Sequence, residues 1–347
     1  MDFPGEKLVI KLWETLTEKG IGALLSPWQA TREGRARNEV RRHEILILAQ
    51  AETDAVDIRS GKKQLRPDGT LLLTGAAGIP PAAEERIEPT LAYSTMVEYG
   101  SRAAAAAVAR SEINATKAIL FAEEQLANDA QIPSDQNVDE DWLFVWREHA
   151  GKVSTEDLQR LWGSVLAGEV KTPGKYSIRT LDFLKALSKV EAEMIGKLAS
   201  YVINGCIASG QMEYLISKGL SLSTLLQMQE IGVVSGVESL GLTRTYKSVV
   251  EGKFIRALVS HSKALVVEHE DASKTLDFDI YTLTAVGRQV LELGSFEPDI
   301  EYLRLVGKEF AKNGFSVKLA DWQNLSETQG NYFNGIEIPG DDPPSEA

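Results

Sequence analysis

The stretch that decides the fold runs from Leu161 to Leu181 and reads LWGSVLAGEVKTPGKYSIRTL. It belongs to a helical block over about residues 140–203, and the pair Pro173-Gly174 interrupts that block. We therefore predict one helix that ends near Val170 and another that starts near Ser177. Glu169 and Arg179 lie on opposite sides of the interruption, so we predict an ion pair that pins the turn between the helices. The alternative is a polar surface spot for a ligand or a partner.

Large apolar rings surround this stretch on the predicted helices. Trp142, Trp146 and Trp162 each bury a large surface when they pack, so we interpret them as core residues. Gly168 stands near a helix end, where glycine permits close packing or a cap. Downstream, Ser188 and Glu191 have the spacing of a capping box, which predicts a helix that starts near residue 189.

The first 128 residues are predicted to form a long helical arm. A helix over about 5–19 precedes a long helix over about 29–58, and a second long helix covers about 91–128. The turn-rich residues 59–90 connect the two long helices, which we expect to pair as antiparallel arms of a stalk. A short strand is predicted at Leu71-Leu72-Leu73 within that connection.

The apolar segment from Ile21 to Trp28 stands directly before an arginine-rich helix start. Apolar anchoring beside basic residues is how surface helices bind anionic lipid. The segment therefore predicts a peripheral membrane contact, with the candidate residues Leu24, Leu25, Trp28, Arg32 and Arg35. The competing interpretation is that Leu24 and Trp28 pack on the stalk.

The last third of the chain changes its hydrophobic period. A linker over 129–140 and the helical core domain 140–205 are followed by an α+β module over 210–322. We predict a helix over Ser221–Glu230 and strands over Ala264–Glu268 and Leu276–Tyr281 around a polar turn. Thr284 caps a predicted helix that ends near Leu293, and a further helix is predicted over Asp299–Lys312. Residues 324–347 are predicted to be a disordered tail.

This module resembles winged-helix proteins. Its predicted recognition helix, Ser221–Glu230, runs into an Ile-Gly-Val-Val exit, and Tyr281 begins the pattern that often closes such modules. No Lys or Arg occurs in that helix, although phosphate contacts supply most of the affinity for DNA. The resemblance therefore favours a protein-binding or dimerising module over a DNA-binding one.

Composition sets wide limits on function. The 347 residues are 43% hydrophobic and 25% charged, which excludes a wholly disordered chain. The net charge of −13 disfavours nucleic acid as a partner of the whole chain. A lone cysteine, Cys206, excludes an internal disulfide and a cysteine-rich zinc site. We read no secretion signal and no membrane-spanning stretch, so the expected location is cytoplasmic, with a peripheral contact at the inner membrane face as the alternative.

Four segments carry a resemblance to a known family: Asp141-Trp142, Leu161–Glu169, Pro173–Leu181 and Leu187–Ala192. They resemble the bacterial domain-of-unknown-function family DUF2806, and the general character is similar, more loosely, to abortive-infection alpha proteins. The resemblance brings no catalytic residue with it. It marks a candidate structural or partner site, whose residues are Trp142, Trp162, Gly168, Glu169, Pro173, Gly174, Ser177 and Arg179.

No catalytic motif occurs in the sequence: it has no phosphate-binding loop, no HExxH, no CxxC and no GxSxG. His261 and His269 stand near Glu268 and Glu270, where a solvated edge strand is favoured over a metal site. No cofactor is indicated, and the class of any small-molecule ligand stays open.

We therefore expect a mainly α protein with a long N-terminal helical arm, a helical middle domain and a C-terminal winged-helix-like α+β module. The favoured function is that of a non-enzymatic bacterial interaction protein in phage defence. It would act through a protein partner, through self-association or at the membrane surface. A winged-helix transcription regulator and an unrecognised hydrolase are the alternatives.

Overall fold

The structure is a computed structural model, and it describes residues 4–18, 57–58, 60, 62–65, 71–73, 93–239, 241–325 and 330–340. The chain divides into two compact units, Met1–Leu181 and Asp182–Ala347. The prediction of an arm, a core domain and a C-terminal module is a finer division and stays a prediction. Among the described residues helix exceeds strand, and every strand pair is antiparallel, so the protein is a helix-rich α+β protein.

The first unit is helical apart from one small hairpin. Its helices are α1 (Glu6–Glu18), α2 (Tyr93–Ala127), α3 (Glu140–Gly151), α4 (Glu156–Lys171) and the start of α5 (Ile178–Ala186). The hairpin pairs β1 (Lys63–Leu65) with β2 (Leu71–Leu73), which confirms the predicted short strand. The predicted helices over 5–19 and 91–128 are confirmed within two residues at each end.

Helix α2 is the central helix of the first unit, because one face of its second half is apolar and the other helices pack against it. Ala115, Ala118, Ile119, Ala122 and Leu126 recur at helical spacing and are buried. Helices α1, α3 and α4 all pack against α2.

Glycine allows the closest of these helix contacts. A Cβ atom on Gly163 of α4 would lie 2.7 Å from the Cβ of Phe121 and 2.8 Å from the carbonyl oxygen of Ala118. No side chain fits at this position without moving α2. The glycine in the Leu161–Leu181 stretch therefore sets how closely α4 approaches α2.

The second unit combines helices with two antiparallel sheets. The helices are α6 (Lys189–Ala199), α7 (Met212–Ser217), α8 (Leu222–Glu230), α9 (Ala285–Leu291) and α10 (Ile300–Lys312). The strands are β3 (Cys206–Ala208), β4 (Val234–Ser235), β5 (Thr243–Tyr246), β6 (Phe254–Ser260), β7 (Lys263–His269), β8 (Leu276–Leu283), β9 (Ser316–Asn324) and β10 (Gly330–Glu337). One sheet has the order β3-β8-β4, with β5 also paired to β8, and the other has the order β10-β9-β7-β6.

Several helix starts were predictable from caps. Ser188 and Glu191 form the complete predicted capping box at the start of α6. Ser221, Thr284 and Asp299 each accept a backbone N–H bond at the start of α8, α9 and α10. These contacts confirm the predicted helices of the last third.

The two predicted strands exist, but they belong to different sheets. β7 pairs with β6 and β9, whereas β8 pairs with β3, β4 and β5. The polar residues 271–274 therefore connect two sheets rather than close a hairpin.

The prediction of a disordered tail over 324–347 is wrong for residues 330–337. They form β10, which pairs with β9 from Gly330 opposite Asn324 to Glu337 opposite Lys318. Ile338 follows and is buried, so an apolar anchor holds the end of this strand. Residues 341–347 lie outside the described residues.

Three predictions of the N-terminal region also fall outside the described residues. They are the helix over 29–58, of which only residues 57–58 are described, the apolar segment from Ile21 to Trp28, and the membrane contact through Leu24, Leu25, Trp28, Arg32 and Arg35. They stay predictions.

Candidate functional site

The candidate site of the first unit is built around the side chain of Glu169, which is only 1% exposed. Its Oε1 accepts a hydrogen bond from the backbone N–H of Gly174 at 2.6 Å, and its Oε2 accepts one from Tyr176 at 2.9 Å. Both donors belong to the turn between α4 and α5. The carboxylate thus folds the chain after α4 back onto the end of that helix.

Two aromatic contacts complete this turn. Trp142 donates its Nε1–H to the carbonyl oxygen of Tyr176 at 2.7 Å. A Cβ on Gly168 would lie 2.6 Å from Cε2 of Tyr176, so the glycine makes room for the tyrosine ring. Gly174 has φ +85°, a conformation that glycine adopts without the strain other residues meet. We call this cluster of Trp142, Gly168, Glu169, Gly174 and Tyr176 the Glu169 turn.

The other two tryptophans of the predicted core lie next to this turn. Trp146 donates its Nε1–H to the carbonyl oxygen of Trp162 at 2.9 Å, and both side chains are buried. The ring of His149 lies 5.6 Å from that of Trp162, between ring centroids. These contacts agree with the interpretation of the tryptophans as core residues.

The predicted ion pair between Glu169 and Arg179 is not formed within the described part of the chain. Arg179 is exposed, and Glu169 instead binds the two backbone N–H groups. The physical reason is proximity: the donors stand five and seven residues after Glu169 on the turn itself. Ser177 has a local role, because its Oγ accepts the backbone N–H of Thr180 at 3.3 Å in the first turn of α5.

Replacing Arg179 tests whether it belongs to the structure of this turn. We expect Arg179→Ala to change the free energy of unfolding by less than about 0.5 kcal/mol, because exposed side chains without a buried partner contribute little. Chemical denaturation of both proteins measures the difference. A loss above about 1.5 kcal/mol would show that the guanidinium supports the fold.

The burial of Glu169 limits what it can do chemically. Burial raises the pKa of this carboxyl, and the two backbone N–H bonds oppose the rise. Both oxygens are occupied by backbone groups, and solvent does not reach them. The geometry therefore assigns the Glu169 turn to the fold, and a functional surface has to be sought elsewhere.

The edge strand β10 exposes three large apolar side chains, in a region for which the sequence predicts a disordered tail. Tyr332, Phe333 and Ile336 are 44%, 48% and 60% exposed, and no residue of β10 is buried. The strand ends the order β10-β9-β7-β6, so only one of its two edges is paired among the described strands. Exposed edges of this kind offer unpaired backbone groups to another chain.

Both faces of β10 contribute to this surface. Tyr332 stands opposite Trp322, and Phe333 stands opposite Asp321, so the two rings point to opposite faces of the sheet. The register shifts between Phe333 and Ile336, where Asn334 has φ +56°. The regular part of the edge is therefore Gly330–Phe333. We call Gly330–Glu337 the β10 edge.

Little in the sequence marked this surface. The segment mixes Asn and Gly with apolar residues, and this composition is also typical of loops. The only usable signal was the cluster Tyr332-Phe333 beside Ile336, an apolar group in an otherwise polar terminus.

The titratable groups indicate no metal site in the part of the chain that is described. No group of three or more His, Cys, Asp and Glu side chains there is arranged to hold an ion. His261 lies against the carbonyl oxygen of Ala199 at 2.8 Å, and His269 Nδ1 accepts the backbone N–H of Asp271. The helices of the same ranges include none with the length and apolar character needed to cross a bilayer.

The comparison with known families agrees with the resemblance in the central helices. Residues 102–216 match the family described as "Protein of unknown function (DUF2806)". The match begins in α2 and ends in α7, so it includes the whole Glu169 turn. No curated protein and no solved structure matches the chain.

Proposed function

We propose that this protein is a non-enzymatic interaction protein that pairs with a second copy of itself through the β10 edge. The observation that carries the proposal is the exposure of Tyr332, Phe333 and Ile336 on a strand with one unpaired edge. Natural edge strands are usually protected by lysine, proline or a covering element. Gly330–Phe333 contains neither lysine nor proline.

Charge does not oppose a second copy at the β10 edge. The chain carries a net charge of −13, so most of its surface repels another copy. Gly330–Ile336 has no charged side chain, and Glu337 is the single charge of the strand. In an antiparallel pair centred on Gly330–Phe333, the two Glu337 carboxylates would lie more than about 20 Å apart. That separation exceeds the screening length of about 8 Å at physiological salt.

Symmetry supports the same occupant. Two antiparallel strands related by a two-fold axis present the same residues to each other, which closes the assembly at a dimer. Main-chain hydrogen bonds would supply the pairing, and the exposed rings would bury each other against the neighbouring strand. Because the regular edge is short, we expect a weak dimer that depends on concentration.

Sedimentation velocity over a range of concentrations tests the proposal. We expect the wild-type sedimentation coefficient to rise with concentration from the monomer value toward the dimer value. The double variant Tyr332→Lys, Phe333→Lys places four positive charges at the paired edge of a dimer, and we expect it to remain a monomer throughout.

A matched control separates this edge from general surface apolarity. Val249 is 62% exposed and lies outside the β10 edge, so Val249→Lys should associate as the wild type does. Two results contradict the proposal: a wild-type protein that stays monomeric at every concentration, or a double variant that associates as strongly as the wild type.

The arrangement of the second unit supports a winged-helix interpretation as part of this proposal. Along the chain α6, β3, α7, α8 and β4 follow one another, β5, β6 and β7 come next, and β8 then lies between β3 and β4 in the sheet. Apart from β5, β6 and β7, which stand between the second and third strands, this is the order of a winged helix, which places its third strand in the middle. The helix in the recognition position, α8, carries no Lys or Arg, which favours protein binding over a transcription regulator. Phage defence and membrane contact stay predictions.

A further inference from the structure

A tight turn in the second unit brings two arginines together. Ile203 and Cys206 exchange backbone hydrogen bonds at 2.7 Å and 2.9 Å, and Asn204 and Gly205 between them both have positive φ. This is the geometry of a type I′ turn. Asn204 also binds both backbone groups of Val259, at 2.8 Å each, so the turn is fixed to β6.

Arg244 and Arg288 approach this turn from different elements. Arg244 of β5 donates to the carbonyl oxygen of Asn204 at 3.4 Å. Arg288 of α9 donates to the carbonyl oxygen of Leu283 at 3.3 Å, and its Cδ would lie 3.4 Å from a Cβ on Gly205. Both contacts are long, and a guanidinium has five N–H donors.

These arginines have no acidic partner in the described part of the chain. No carboxylate there forms an ion pair with Arg244, Arg288 or the nearby Arg256, although acidic residues outnumber basic ones by 50 to 37. The nearest acids on β8 face away. Asp277 and Asp279 accept hydrogen bonds from Thr245 and Thr243, which alternate with Arg244 along β5.

A buried hydroxyl group whose proton has no acceptor lies beside Arg244. Tyr246 is 7% exposed, and no residue that the structure describes accepts a hydrogen bond from its hydroxyl. A side-chain hydrogen bond with this phenol raises the pKa of the Arg244 guanidinium, and because a guanidinium only donates, the phenol oxygen is the acceptor. Arg256 covers the ring of Tyr246, with its Cζ 5.1 Å from the ring centroid. A buried hydroxyl proton without an acceptor costs free energy, so it indicates a missing ligand atom.

The thiol of Cys206 does not neutralise this positive cluster. Burial raises the pKa of Cys206, and the charges of Arg244 and Arg288 oppose the rise without reversing it. The thiol therefore stays protonated at neutral pH and brings no negative charge to the arginines.

We propose that the second unit binds a small oxyanion of the phosphate class through Arg244, Arg288 and the hydroxyl of Tyr246. Arginine binds phosphate oxygens with paired N–H donors, and a hydroxyl supplies a further donor to the same group. The site is independent of the β10 edge, because none of its residues lies on β10.

Isothermal titration of the full chain with inorganic phosphate tests the site, with sodium chloride of equal ionic strength and sodium acetate as reference titrations. We expect saturable binding of phosphate, and no comparable heat from chloride or acetate. We expect Arg244→Gln to weaken binding of phosphate about tenfold or more, because a charge-assisted hydrogen bond is lost.

Tyr246→Phe provides a variant that folds even if the arginine variants do not. Without phosphate its melting temperature should stay close to that of the wild type, because a buried proton without an acceptor is removed together with the hydrogen bond to Arg244. Its affinity for phosphate should nevertheless fall. Arg304→Gln, on α10, is the control and should bind as the wild type does. The proposal is overturned if phosphate binds no better than chloride, if acetate binds as well as phosphate, or if Arg244→Gln and Tyr246→Phe bind phosphate as tightly as Arg304→Gln.

Discussion

Trp162→Ala is expected to lower the free energy of unfolding by about 3 to 5 kcal/mol, the largest effect of any substitution considered for this protein. Trp162 is 1% exposed, and it lies in α4 next to the glycine that lets α4 approach α2. Removing the indole leaves a cavity beside α4 and α2, and the close contact between these helices keeps them in place. The surrounding helices cannot collapse into it easily.

Guanidinium denaturation of the wild type and the variant measures this loss. Leu158→Ala is the matched control, because Leu158 lies on the same helix and is 43% exposed. We expect the control to lose less than about 1 kcal/mol. If Trp162→Ala lost no more than Leu158→Ala, the tryptophan would not be part of a packed core.

Glu169→Ala is expected to cost about 2 to 3 kcal/mol, because it removes two charge-assisted hydrogen bonds from the turn. The N–H of Tyr176 lies in a buried region and would be left without an acceptor. Glu169→Gln should cost less than Glu169→Ala, since the amide oxygen still accepts one of the two bonds. The same denaturation experiment measures both variants.

The pH dependence of this loss provides an independent check. Burial raises the pKa of Glu169 in the folded protein above its ordinary value of 4.5, so the folded state holds the proton more tightly than the unfolded state. The contribution of Glu169 to stability is therefore largest below pH 4.5 and decreases as the pH rises through the folded pKa. Glu169→Gln lacks this titration.

The stability difference between the wild type and Glu169→Gln should accordingly shrink as the pH rises from about 4 toward neutrality. Glu156→Gln on the same helix is the control, because Glu156 forms only an exposed ion pair with Arg160. A difference that grows with pH would show that the two N–H donors outweigh burial.

Local signals in the sequence predicted the helices well. The predicted caps, Ser188 with Glu191 and Thr284, depend on residues within one turn of each other. Ser221 and Asp299, predicted as the first residues of helices, are N-caps of the same kind. Such contacts form wherever the helix forms, so the amino-acid sequence alone is enough to predict them.

Contacts between a side chain and distant backbone groups could not be predicted from the sequence in this way. The sequence predicts Arg179 as the partner of Glu169 because opposite charges are visible as residue types. The true donors are the backbone N–H groups of Gly174 and Tyr176, and almost every residue carries such a group. Which of them meets the carboxylate depends on the geometry of the turn, and φ +85° at Gly174 determines that geometry.

Strand pairing was the least predictable feature. β7 and β8 are neighbours in sequence but belong to different sheets, because β8 pairs with the distant β3 and β7 pairs with its neighbour β6 and with the distant β9. The sequence does not predict β10, because this strand is stabilised by backbone hydrogen bonds to β9 and buries few of its own side chains. Without a buried face, a segment that contains Asn331, Asn334 and Gly335 resembles a loop.

Hydrogen exchange of the β10 edge at two protein concentrations tests the central claim most directly. If a second copy pairs with β10, the amides of Gly330–Phe333 that face outward should exchange more slowly at the concentration that favours the dimer. The amides of β6, at the other end of the same sheet, should exchange equally at both concentrations. Exchange in β10 that does not change with concentration, in a sample shown by sedimentation to contain dimers, would contradict pairing through this edge.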